Sequence, residues 1–157
     1  GIDRFTPGHS YPPDTIHGDI ENLDLEDESQ DLIICLHVLE HVDDDRKALS
    51  EMRRVLKPGG IAVLAFPFLN GELTYEDPTM VSPAEMNEAC GQWDQLRLFG
   101  EDVAERMSEA GFKPKKITPQ NIWSEQEIEC WGLLPKEVFF LCKKPGGLSS
   151  LSNVASK

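Results

Sequence analysis

Three observations predict an α/β fold built on a largely parallel sheet: two unbroken apolar runs, an amphipathic repeat between them, and a Pro-Gly-Gly break ahead of the second run. Leu32 to Leu36 and Ile61 to Phe66 lack polar alternation, which is the pattern of strands covered on both faces. Between them Leu49, Met52, Val55 and Leu56 recur at helical spacing, while Arg46, Lys47, Glu51, Arg53 and Arg54 take the other faces. Strands over 31–36 and 60–66, joined right-handed by a helix over 43–57, are therefore expected in the middle of the sheet. Asp43, Asp44 or Asp45 suits the start of that helix, and Lys57-Pro58-Gly59-Gly60 is its expected stop. In an open α/β sheet ligands gather at the carboxyl ends of the strands, here Leu36 to His41.

At 157 residues the chain suffices for one domain, and 39% hydrophobic with 27% charged residues is a globular balance. The net charge is -13, and residues 14–51 hold thirteen acidic side chains against Arg46 and Lys47 alone. Such a band repels a phosphate backbone, so nucleic acid is not an expected partner; a solvated face or the attraction of a cationic substrate remain open. Cys35, Cys90, Cys130 and Cys142 lack paired short spacing, which speaks against a disulfide framework or a zinc site. No apolar run has membrane-spanning length and the first residues are not signal-like, so a cytoplasmic protein without a membrane partner is expected.

Gly1-Ile2-Asp3 reads as the end of a strand, with a loop over 4–13 and a short strand at Thr15-Ile16-His17. Glu21 to Gln30 is an acidic loop or turn. Residues 67–97, broken by Pro67, Gly71, Pro78, Pro83 and Gly91, form a long excursion with one short helix, Pro83 to Cys90, capped by Ser82. An excursion of that length suits a functional cover or insertion, with Leu96, Leu98 and Phe99 anchoring its return. A helix from Glu101 to Ala110 precedes two strands, Phe112 to Thr118 and Glu137 to Cys142, expected to pair antiparallel. Residues 119–135 suggest no long helix, and 145–157 read as a flexible tail after a domain over 1–144. His37 and His41 align on one face if a helix has already begun, with Glu40 pointing away; no third ligand is evident, so no metal is expected and His41 reads as structural.

Two stretches, His37-Val38-Leu39-Glu40-His41-Val42 and Arg54-Val55-Leu56-Lys57-Pro58-Gly59-Gly60, resemble the class I S-adenosylmethionine-dependent methyltransferases of small bacterial type. Gly18-Asp19-Ile20, Arg97-Leu98-Phe99-Gly100-Glu101-Asp102 and Glu109-Ala110-Gly111-Phe112 extend the likeness over residues 1–144. The resemblance implies a Rossmann-like, three-layer sheet, mostly parallel with an antiparallel C-terminal strand pair. It also implies S-adenosylmethionine as cofactor. Asp3 matches the carboxylate that accepts from the ribose, Asp19 the one that accepts from the adenine amine, Ile20 the side chain against the ring, and His37 the position facing the methionine end. No catalytic residue is assigned, because methyl transfer asks chiefly for alignment in a dry site.

The family's strand, glycine-rich turn and helix would precede Gly1, and the sequence opens without methionine, as an excised or truncated domain would. The expectation is that the complete protein methylates a small molecule and that these residues alone do so weakly or not at all. The alternative is a non-catalytic remnant acting as a binding or self-association module, a homo-oligomer formed through exposed sheet edges.

Overall fold

The computed structural model describes residues 1–5, 8, 10–80 and 82–146, so most of the expected tail lies outside the described residues. Its centre is a four-stranded sheet of β3 (Gln30–Leu36), β4 (Leu56–Ala65), β8 (Phe139–Lys143) and β7 (Lys113–Ile117), in that order. β3 runs parallel to β4, while β8 is antiparallel to both β4 and β7. β1 (Ile2–Asp3) and β2 (Ile16–His17) form a separate parallel pair. β5 (Tyr75–Glu76) and β6 (Arg97–Leu98) pair antiparallel within the excursion. No helix among the described residues is long and apolar enough to cross a membrane.

The crossover helix α1 (Asp45–Val55) starts where the Asp44 side chain accepts from the Lys47 amide at 2.9 Å. That bond satisfies a first-turn donor that the helix itself cannot. The helix ends sooner than expected, because Leu56 is already extended and β4 runs from it through Lys57-Pro58-Gly59-Gly60. Proline disfavours helical backbone at the preceding lysine, and extended chain is what remains. The pairing with β3 jumps from Gln30↔Leu56 to Leu32↔Ile61, and Gly59 takes a φ of +86° inside that irregularity.

The core lies on one face of the sheet. Cys35, Ala62, Leu64, Phe140 and Cys142 pack with Ala48, Leu49 and Met52 of α1 and with Val103 and Met107 of α3 (Val103–Glu109). Burial pushes the Cys35 thiol up to about 12, with the Glu40 charge adding to the effect, so this cysteine is an inert packing residue. On the other face Leu32, Ile34, Leu36 and Ile61 are exposed, Ile34 by 64%. The expectation of strands covered on both faces is therefore corrected. An unalternated apolar run marks residues suited to burial, and the described residues supply cover to only one side.

Arg54 is the chief fastening of the acidic segment before β3, with Lys144 pairing Glu28. Arg54 donates to the carbonyls of Leu23 and Leu25, both at 2.8 Å, and to Asp27 at 2.7 Å, while Glu51 aligns its guanidinium and accepts from the Leu23 amide. In the excursion, the expected helix is present as α2 (Pro83–Cys90) with its Ser82–Glu85 capping box, and it buries no residue. The root is tighter. Thr74 bonds Asp102 through its amide and hydroxyl, and an added Cβ at Gly100 would lie 2.3 Å from the Leu73 backbone, so only glycine fits. Between β7 and β8 a short helix, α4 (Glu125–Cys130), follows a 3-10 turn at Pro119–Asn121.

Candidate functional site

The carboxyl ends of β1, β2 and β3 carry the four residues singled out in the sequence. Asp3 closes β1, where its carbonyl accepts from the Gly18 amide at 3.0 Å, so Asp3 and the Gly18-Asp19-Ile20 turn are neighbours. One Asp3 oxygen accepts from the Phe5 amide at 2.8 Å. The other has no hydrogen bond among the described residues and is available to a hydroxyl. Asp19 is more committed: Oδ1 accepts from the Glu21 amide at 2.9 Å and Oδ2 pairs with Arg4 at 2.8 Å. The amide bond, helped by Arg4, holds this carboxyl below its ordinary range despite partial burial. Ile20 rests its side chain against the core.

His37 stands just past β3 with a left-handed φ of +54°, fixed by its amide donating to the Ala65 carbonyl at 2.8 Å. A non-glycine residue is rarely held there without surrounding constraint, and such strain gathers at functional positions. The continuous helix that would have aligned His37 with His41 is absent; a 3-10 turn spans Leu39–His41 instead. That turn corrects the expected direction of Glu40. Its buried carboxylate sits between the imidazoles, Oε1 being 3.4 Å from His37 Nδ1 and 3.9 Å from His41 Nε2, while Oε2 has no partner among the described residues. His41 Nδ1 lies 2.9 Å from the Asp94 carbonyl and so donates to it, which ties the turn to the excursion. No group of three or more candidate ligands among the described residues could hold a metal.

The turn is shaped by a residue that the sequence reading passed over as part of a motif. Arg97 is buried, and its guanidinium donates to the carbonyls of Leu39 at 3.0 Å, Val42 at 2.5 Å and Asp43 at 3.1 Å while pairing with Glu76. Those carbonyls close the turn that carries Glu40 and His41, so the excursion positions the strand-end residues directly. Arginine is suited to this role because its planar fork serves several acceptors at once.

Beside His37 opens a cleft of about 500 Å³, walled by Phe66-Pro67-Phe68 beyond β4 and by Leu134 to Val138 ahead of β8. A hollow of about 520 Å³ between Asp27, Glu28, Arg53, Arg54 and Lys144 lies at the opposite end of the strands. There Arg54 already pairs with Asp27 and Lys144 with Glu28. The cleft at the carboxyl end, apolar with a few convergent polar groups, has the composition of a small-molecule site.

Residues 4–64 match the family described as "Methyltransferase domain". Over 69 residues the chain is 39% identical to a "probable S-adenosylmethionine-dependent methyltransferase" of Mycolicibacterium smegmatis, covering 41% of this chain and 27% of that protein. Residues 4–64 are thus similar to the class I S-adenosylmethionine-dependent methyltransferases. An uncharacterized 37.1 kDa protein in transposon TN4556 of Streptomyces fradiae is 37% identical over 103 residues, 65% of this chain and 30% of its own length. The chain thus spans less than a third of either curated relative. Its fold superposes on a SAM-dependent methyltransferase of Thermotoga maritima with a TM-score of 0.54 and 23% identity, over 83% of this chain and 63% of that one.

These positions present an Asp3 oxygen with no hydrogen bond among the described residues, an acidic turn at Asp19 backed by Ile20, and the exposed imidazole of His37.

Proposed function

We propose that this chain contributes to a domain that transfers a methyl group to a small molecule. In this reading Asp3 accepts from the ribose hydroxyls, Asp19 from the adenine amine, Ile20 packs on the base and His37 faces the methionine end. S-adenosylmethionine, when bound, supplies an electrophilic methyl group. This chain's part is to hold the nucleoside and exclude water through the walls of the cleft beside His37. The observation that carries the reading is the family match over residues 4–64, which holds Asp19, Ile20 and His37 and begins one residue after Asp3.

Calorimetric titration with S-adenosylhomocysteine tests it. Binding that falls at least about tenfold in Asp3→Ala, in line with the loss of a charge-assisted hydrogen bond, is the expected result. Binding unchanged in that variant would sink the ribose assignment.

A second reading is supported by the open edge of β3 with exposed Leu32, Ile34 and Leu36: self-association through that surface. Sedimentation across a concentration series distinguishes a dimer from a monomer.

A further inference from the structure

The geometry points to an organic ammonium, a positively charged amine carried on an aryl or alkyl body, as the ligand of the cleft beside His37, with Glu137 selecting the charge. The ammonium is the recognised group of the methyl acceptor and not the atom methylated, because a protonated nitrogen has no lone pair with which to attack a sulfonium; that role rests on the function proposed above. The cleft has room for a small molecule, about 500 Å³, and its walls are largely apolar: Phe66, Pro67, Phe68, Leu134 and Val138. Three ionisable side chains reach it, His37, Lys136 and Glu137, and their surroundings differ.

Lys136 is exposed, where water and salt screen its charge. Glu137 is only 25% exposed, and its one ionic neighbour among the described residues is His37 Nε2 at 3.9 Å, beyond hydrogen-bond reach. A half-buried carboxylate without a close partner has incomplete compensation for lost hydration, which a cation bound beside it restores. Behind His37 lies a second acid: Glu40, buried, 3.4 Å from Nδ1, with one carboxylate oxygen unpartnered. Lys116, on the Phe68 wall, is already paired with Glu101 at 2.8 Å, so the desolvated charges left without a close partner beside the cleft, among the described residues, are the two acids, and attraction is strongest where water is scarce.

The aromatic wall is compatible with the same ligand. Phe68 already receives an ammonium, the Lys116 Nζ lying 4.3 Å from its ring centroid, and Phe66 is locked in place by Phe99 at 4.4 Å and Phe140 at 5.7 Å. Rings fixed by their neighbours offer apolar contact to the body of an amine at little ordering cost.

Three probes of one shape and different charge test the assignment on the full-length protein: phenethylamine, 2-phenylethanol and 3-phenylpropionate, followed by calorimetry and the imidazole signals of His37. Phenethylamine is expected to bind about tenfold more tightly than 2-phenylethanol, the scale of one hydrogen bond to a charged group. Glu137→Gln should erase most of that difference while leaving 2-phenylethanol within about twofold, because the apolar walls are untouched. Lys136→Gln should leave the preference for the amine intact.

Tightest binding of 3-phenylpropionate, equal binding of all three, no binding at millimolar concentration, or an unchanged preference in Glu137→Gln would each overturn the proposal. S-adenosylhomocysteine, titrated separately, keeps the two readings apart. Amine selection without nucleoside binding leaves the ammonium site standing and removes its role as acceptor site. Nucleoside binding without amine selection removes the ammonium site alone.

Discussion

On the inner face of β3 and β4, Ile33, Cys35, Ala62 and Leu64 pack beneath α1 and α3, whereas one residue along each strand Leu32, Ile34, Leu36 and Ile61 meet solvent. Both sets are apolar, and the outer one is the bulkier. What separates them is whether the chain provides a neighbouring layer, since alternate side chains of a strand point to opposite faces. Apolar character thus records what a surface is suited to touch, and the outer face has the chemistry of a contact surface awaiting one.

The largest predicted effect tests whether the inner side rests on packing alone. Arg97→Ala strips three carbonyls and Glu76 of their buried partner. It should cost about 3–5 kcal/mol in urea unfolding, as loss of one member of a buried charged set does. A loss near that of a surface substitution would mean that the strand-end turn holds itself. Next, Leu64→Ala on the inner face should cost about 2–5 kcal/mol, because it combines lost transfer energy with a cavity.

A smaller effect separates packing from electrostatics. Glu51→Gln weakens the Arg54 staple on the acidic segment and should cost about 1 kcal/mol at pH 7. Hydrogen bonding to Arg54 holds the Glu51 carboxyl below its ordinary 4.5. Its stabilisation is therefore full above that value and is lost as pH falls through the lowered one, so wild type and variant should converge in melting temperature below pH 4.5. A gap that persists at acid pH would show that the carboxylate charge is not responsible. The smallest stability change belongs to the outer face: Ile34→Ser should alter unfolding by no more than about 0.5 kcal/mol. It should also reduce any self-association seen by sedimentation. A large loss in the monomer would mean that the outer face is covered after all.

Much of this was readable from the residues. The period of Leu49, Met52 and Val55 is that of α1, and Ser82 with Glu85 is the cap of α2. The antiparallel pairing of the last two strands is present as β7 and β8. Asp3, Asp19, Ile20 and His37 do stand at strand ends, though Asp19 turned out to spend both oxygens on its own turn and Arg4.

Arg97 was illegible as an anchor because a charged residue goes inside only where distant carbonyls converge, and local sequence does not announce that convergence. Glu40 was misplaced because its direction depends on a 3-10 turn rather than on helical spacing. The signal that could have flagged Glu137 is its place just ahead of an apolar strand, but its half-burial is a tertiary fact. α4 was missed because six residues are too few to establish a period.

The way the excursion is fastened divides it into parts with different lifetimes. Its root is closed by Thr74 on Asp102 and by the tight approach over Gly100, and its far side by Arg97 on Glu76, while α2 between them buries nothing. Amide protons of α2 should therefore exchange with solvent through local opening, and those of Gly100 and Leu69, bonded to Thr74 and Phe99, should exchange more slowly. The segment behaves as a handle riveted at both ends with a loose grip, so its middle can be lengthened, shortened or replaced without loosening the turn that carries Glu40 and His41.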